Sequence, residues 1–210
     1  MTTLTDHAYS QNVTLRFLPS SPDSDSTCAA YSNSTSALTF TTENIPAQSH
    51  CFNFAELFGG NATSGFVNQS NSGQWQQYGI HWALENADKF DAQANYSNVL
   101  YRQAAYEQEP GSYAMRRVNL YGGLDCTERD PNDDKGLLDW YGLSCWSGVE
   151  GECGALPYSI ASFTVMPVAE DSDGTCLMYA QLGAGVAISQ PFRAAASVFV
   201  GAVVAGWLAM

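Results

Sequence analysis

Short runs of apolar–polar alternation, broken every few residues by Gly, Asn or Pro, constrain this chain more than any other feature. Val13, Leu15 and Phe17 alternate with Thr14 and Arg16, and Leu38 and Phe40 alternate with Thr39 and Thr41. Phe52 and Phe54 flank Asn53, while Tyr78, Ile80, Trp82 and Leu84 alternate with Gln77, Gly79, His81 and Ala83. A period of two sends successive side chains to opposite faces, so these segments predict strands with one dry face and one wet face. Segment 96–106 is strand-like in its aromatics, although 103–109 also suits a helical turn. Segment 113–121 alternates with a slip at Arg116–Arg117, which predicts a bulge. Segments 137–146, 158–168 and 175–182 bring the total to about nine short strands, the last two reading as a hairpin around 169–174. Segments 19–27 (PSSPDSDST) and 59–73 (GGNATSGFVNQSNSG) read as loops. No segment before the C-terminal end sustains a helical period. The expected fold is all-β: a two-sheet sandwich of jelly-roll type, with a partly closed barrel as the alternative.

The C-terminal end differs in kind. Residues 194–210 (AAASVFVGAVVAGWLAM) carry no charge. They follow a spacer, and before that the small residues Gly183, Ala184 and Gly185. Small residues, a spacer of about 8–12 and an apolar tail of about 10–20 make up a glycolipid-anchor signal. The expectation is a β-sandwich domain over 8–183, a spacer over 184–193 and a separate hydrophobic helix over 194–210. Lipid attachment would fall at Gly183, Ala184 or Gly185. A membrane span and a packed terminal element are the alternatives. The tail sits at the short limit of about 17–25 residues for a span, and it lacks the polar face of a surface helix.

Six cysteines, Cys28, Cys51, Cys126, Cys145, Cys153 and Cys176, form an even set with no Cys-x-x-Cys, so disulfides are favoured over zinc. If 160–168 and 175–182 form a hairpin, Cys176 lies at its turn, far from Cys153. A disulfide needs Cα atoms within about 7 Å. The expected pairs are then Cys145–Cys153, Cys126–Cys176 and Cys28–Cys51. Asn12, Asn33, Asn61, Asn68 and Asn95 each begin an Asn-x-Ser/Thr sequon, where chance yields roughly two. Cysteines and sequons together point to the secretory route. Residues 1–6 (MTTLTD) lack the charged and apolar regions of a leader, and the expectation is that such a leader precedes them.

Charge narrows the partners. Only 8 Lys plus Arg oppose 21 Asp plus Glu, for a net charge of −13. Phosphate neutralisation needs clustered cations, so nucleic acid is excluded as an expected partner. Membrane contact is expected through the tail or anchor, and cell-wall polysaccharide is a candidate partner.

No cofactor or metal is expected. Asp130, Asn132 and Asp134 have calcium-loop spacing, but Lys135 and Tyr141 stand where the loop requires Gly and Glu. Asp171 and Asp173 sit in a turn sequence. Paired carboxylates could hydrolyse glycosides, and Glu56, Glu85, Glu107, Glu150 and Glu152 are the candidates. Trp75, Trp82, Trp140 and Trp146 are candidate carbohydrate contacts, since exposed rings stack on sugars while buried ones fill a core. Exposure of both Trp140 and Trp146 on one face would favour sugar binding.

Segment 52–68 (FNFAELFGGNATSGFVN), with the anchor-type tail, resembles small uncharacterised fungal surface proteins. The resemblance implies a plasma-membrane or cell-wall location and carries no site residues. The leading expectation is a non-enzymatic surface glycoprotein, structural or carbohydrate-contacting. The alternative is a secreted glycan-acting hydrolase.

Overall fold

The computed structural model describes residues 12–20, 37–69, 79–105, 107–130, 136–168 and 175–183. The expected tail over 194–210 and its helix, the spacer over 184–193, Ala184 and Gly185 lie outside them. Among the described residues, no helix is long and apolar enough to cross a membrane.

Eleven strands are present: β1 (Val13–Leu18), β2 (Leu38–Thr42), β3 (His50–Asn53), β4 (Ser64–Asn68), β5 (Gly79–Glu85), β6 (Asn98–Gln103), β7 (Tyr113–Tyr121), β8 (Trp140–Cys145), β9 (Glu152–Ala155), β10 (Ser162–Pro167) and β11 (Ala180–Leu182). They form two antiparallel sheets. The six-stranded sheet has the order β4-β5-β2-β1-β6-β9, and the five-stranded sheet the order β11-β8-β7-β10-β3. The chain crosses between sheets after β2, β3, β6, β8 and β9. The result is a β-sandwich, not a closed barrel, because each sheet keeps its own edges.

Alternation explains the core. Val13, Leu15 and Phe17 of β1 are fully buried, as are Leu38 and Phe40 of β2. From the opposite sheet Val118, Leu120, Leu143, Phe163 and Val165 meet them. Phe163 is central, with ring centroids 5.6 Å from Phe17, 5.0 Å from Phe40 and 5.3 Å from Phe52. Such offset and edge contacts add about 0.5–1.5 kcal/mol per pair beyond area burial. Phe54 does not continue β3. It opens α1 (Phe54–Phe58), whose i, i+4 pair Phe54 and Phe58 packs against Phe17 at 4.9 and 5.8 Å.

Two expectations about the strands are corrected. Segment 59–73 is not all loop, because β4 runs through it. Gly65 there lies under the Trp82 ring, where a Cβ would collide. Gly154 of β9 lies likewise under Tyr179. In both strands glycine permits close approach while erasing the alternation signal. The hairpin of the last two strands does not form. β10 already has β7 and β3 on its two edges, so β11 pairs with β8 instead. The predicted bulge is present as a register shift between Tyr113 and Val118.

The displaced hairpin also displaces the disulfides. Segment 175–179 runs beside the end of β8, where Ser144 N–H donates to the Leu177 carbonyl at 2.7 Å. Cys176 is thereby brought to Cys145, with Cα atoms 5.1 Å apart. Cys51 on β3 bonds Cys126, in the one-turn helix 124–126, with Cα atoms 5.9 Å apart. The expected pairs Cys126–Cys176, Cys145–Cys153 and Cys28–Cys51 are all overturned. Cys153 is also disulfide-bonded, and Cys28 lies outside the described residues.

Candidate functional site

The alternation that buries Val13, Leu15 and Phe17 turns Thr14 and Arg16 to the outside of the six-stranded sheet. Pairing register sets them in rows. One row reads Glu85–Thr39–Arg16–Leu100, and the next reads Ala83–Thr41–Thr14–Arg102. Neighbouring strands lie about 4.8 Å apart. Glu85 and Arg16 therefore flank Thr39, and Arg102 stands beside Thr14. Val149 and Glu150 rise along one side from the loop 146–151. Arg102 holds that loop by donating from Nε to the Val149 carbonyl at 2.7 Å. The enclosed groove has a volume of about 350 Å³ and an open mouth, at the lower end of the roughly 300–1,000 Å³ range of ligand sites.

The groove alternates hydrogen-bonding character. Arg16 and Arg102 donate, Glu85 and Glu150 accept, and the hydroxyls of the half-exposed Thr14 and Thr41 do both; Thr39 is buried in the floor and donates its hydroxyl to the Ala37 carbonyl. Two of the chain's 8 basic residues meet here against a net charge of −13. Such a mixture suits a polyhydroxylated ligand, whose hydroxyls also donate and accept. It does not suit a phosphate backbone, which needs unopposed cations.

The aromatic candidates are placed differently. Trp146 is 4% exposed, and its backbone is tied to 111–112 through Gly111 N–H and Ser112 O. Trp140 is half-buried; Tyr121 stacks on it at 5.8 Å and the Arg117 guanidinium stands 5.2 Å over its ring. Trp82 is half-buried on the core side of β5, over Gly65. Trp75 lies outside the described residues. The exposed Trp140–Trp146 platform that would have favoured sugar stacking is absent, because these rings pack within the fold.

Of the candidate carboxylates, Glu85 and Glu150 share the groove, whereas Glu56, Glu107 and Glu152 lie elsewhere. Both groove carboxylates are exposed. A glycosidase acid relies on a water-poor pocket to stay protonated, and this open face provides no such walls. Among the described residues, no group of three or more His, Cys, Asp and Glu side chains could hold a metal ion. Asn132, Asp134, Asp171 and Asp173 lie outside the described residues.

A second polar cluster is buried at one end of the sandwich. Arg116, 1% exposed, donates from Nε to Asn44 O at 2.7 Å and from a terminal nitrogen to Gln103 Oε1 at 3.2 Å, and it also reaches Glu43 O. Gln103 donates to the Tyr101 hydroxyl at 2.8 Å, which donates to Cys145 O at 2.9 Å. Burial pulls the Arg116 guanidinium below its ordinary value and pushes the Tyr101 hydroxyl up. The chain spends these hydrogen bonds on itself, joining the two sheets, and leaves no open face for a ligand.

Asn61, Asn68 and Asn95 are exposed, and Asn12 is half-buried beside Glu43. Asn33 lies outside the described residues. Gly183 closes β11 against Trp140 and the Leu138 carbonyl. The groove residues Thr14, Arg16, Thr39 and Thr41 were visible in the sequence only as the wet half of an alternation. Their outward phase was the signal; their adjacency was not in the sequence. No protein-family model, curated protein or solved structure matches this chain.

Proposed function

We propose that this protein is a secreted or surface-anchored glycoprotein whose six-stranded sheet contacts carbohydrate through the Thr14–Arg16–Thr41–Glu85–Arg102 groove. One observation carries the ligand class: donors, acceptors and hydroxyls alternate across adjacent strands on an open, rigid surface. Two disulfides joining residues 75 and 31 positions apart support an oxidising compartment. Exposed sequon asparagines at Asn61, Asn68 and Asn95 accord with it. The small-residue cluster at Gly183–Gly185 and the apolar tail supply the anchor in this reading, at a plasma membrane or wall of fungal type.

The test is a glycan array and wall-polysaccharide pull-down with the full chain, alongside Arg16→Ala and Glu85→Ala. Binding that falls tenfold or more, or about 1.4 kcal/mol, in both variants supports the groove. Absence of binding to every polysaccharide, or binding indifferent to both substitutions, rejects it. The hydrolase alternative rests on Glu85 and Glu150 alone. Release of reducing ends that disappears in Glu150→Gln would favour it.

A further inference from the structure

On the outer face of the six-stranded sheet, away from the groove residues, Phe66 of β4 is 39% exposed. Its ring lies 4.3 Å from the His81 ring of β5. Phe66 also leans over Gly79, where a Cβ would collide with its ring edge. Gly79 is the cross-strand partner of Asn68, and His81 is the partner of Phe66. Residues i and i+2 of a strand share a face about 6.7 Å apart. Phe66 and Asn68 therefore project together, and the position facing Asn68 carries no side chain. Asn68 is exposed, and the sequence Asn68-Gln69-Ser70 is a glycosylation acceptor.

The geometry points to a function for this pair: Asn68 carries an N-linked glycan whose first N-acetylglucosamine lies on the Phe66 ring, covering the Phe66–His81 surface. A pyranose has an apolar face of axial C–H groups, and an aromatic face with its negative quadrupole is the complement. The glycan leaves Asn68 on the same face and two residues along from the ring. The glycine at 79 lets the Phe66 ring lean across the strand toward the position opposite Asn68. An exposed aromatic pair in an acidic, charge-poor surface thereby gains a cover from the chain's own modification. Gln69 fixes the acceptor segment: its side chain is buried, accepts from Ala47 N–H at 2.9 Å and donates to Gln48 O at 2.9 Å.

This inference rests on the secretory-route reading, and its test separates the two. The full chain is secreted from a eukaryotic host, glycopeptides are mapped, and the glycans are trimmed by endoglycosidase to a single N-acetylglucosamine. The N-acetyl methyl resonance at Asn68 is expected upfield of those at Asn61 and Asn95, shifted by the aromatic ring current. That shift is lost in Phe66→Leu, which keeps an apolar side chain and so guards against misfolding. Trimmed protein is expected to melt above Asn68→Gln, and the difference to vanish in the Phe66→Leu background. If Asn61 or Asn95 carries glycan while Asn68 does not, the inference is overturned and the secretory reading stands. An Asn68 methyl unshifted by Phe66 has the same consequence. If no sequon is modified in a host that glycosylates a control protein, both fall.

Discussion

The two outward faces of the sandwich are built in opposite ways. On the six-stranded sheet, Thr14, Arg16, Thr41 and Arg102 are half-exposed and Glu85 and His81 fully so. On the five-stranded sheet Met115 is exposed and Arg117 half-exposed, but the equivalent outward residues Asn119, Ser144, Ser162 and Thr164 are buried. Two segments cover them. The turn 122–126 lies over β10 and β3, held by Ser162 Oγ, which accepts from Cys126 N–H at 2.9 Å and donates to Gly123 O at 2.6 Å. Segment 175–179 runs along the edge of β8 and lays the Leu177 side chain over Gly142. Each cover is fastened by a disulfide, Cys51–Cys126 and Cys145–Cys176. The five-stranded face carries two covers, each with its own covalent bond. The six-stranded sheet has a disulfide-bonded cysteine too, Cys153 at its β9 edge, but the rows through Thr14 and Arg16 stay open.

Removing the braces gives the largest expected effect. In the chain-entropy account, Cys51→Ser with Cys126→Ser, across a separation of 75, costs about 4.5 kcal/mol. Cys145→Ser with Cys176→Ser, across 31, costs about 3.7 kcal/mol. Urea midpoints of the two double variants check both the size and the order. Equal stability in either variant would break the claim that the five-stranded face depends on its covers.

Ser162→Ala comes next. It strips a part-buried N–H and a part-buried carbonyl of their partner, at about 1–3 kcal/mol. Its effect should shrink in the Cys51/Cys126 variant, because both act on the same turn, and a double-mutant cycle reads that coupling.

His50 gives a smaller, pH-dependent effect. It lies on the edge strand β3, its ring 4.7 Å from Phe52, and burial holds its imidazole below the ordinary 6.5. The unfolded chain then binds the proton more readily than the folded one. Stability from the neutral ring is complete above 6.5 and drains as pH falls beneath that value. Melting temperatures between about pH 7 and about pH 5 should decline less in His50→Gln than in the parent. An unchanged slope refutes the assignment.

The smallest change in stability belongs to the open face. Thr41→Ala should stay within about 0.5 kcal/mol of the parent, while Arg16→Ala should lower carbohydrate binding tenfold or more. A large loss of stability from Thr41→Ala would erase the contrast between the faces.

Strands with strong alternation were legible in the sequence. β1, β2 and β5 fall where Val13–Phe17, Leu38–Thr41 and Ile80–Leu84 placed them, because one buried face writes a period of two into the chain. β4 and β9 were not legible. Gly65 and Gly154 accept an aromatic ring from a neighbouring segment, and that neighbour is far away in sequence. The groove was half legible: its residue types and outward phase follow from alternation, whereas the row Glu85–Thr39–Arg16 joins three strands and exists only in the register.

By itself, the sequence determined the all-β class, the dry and wet faces of its clearest strands and the bulge in β7. Local periodicity and composition suffice for these, because each depends on residues a few positions apart. The tertiary structure alone decided which strands pair, which cysteines bond, and that Trp146 is core while Arg16 faces a groove. Those outcomes depend on edge availability: β10, flanked by β7 and β3, had no edge left for β11, and that one exclusion carried Cys176 to Cys145.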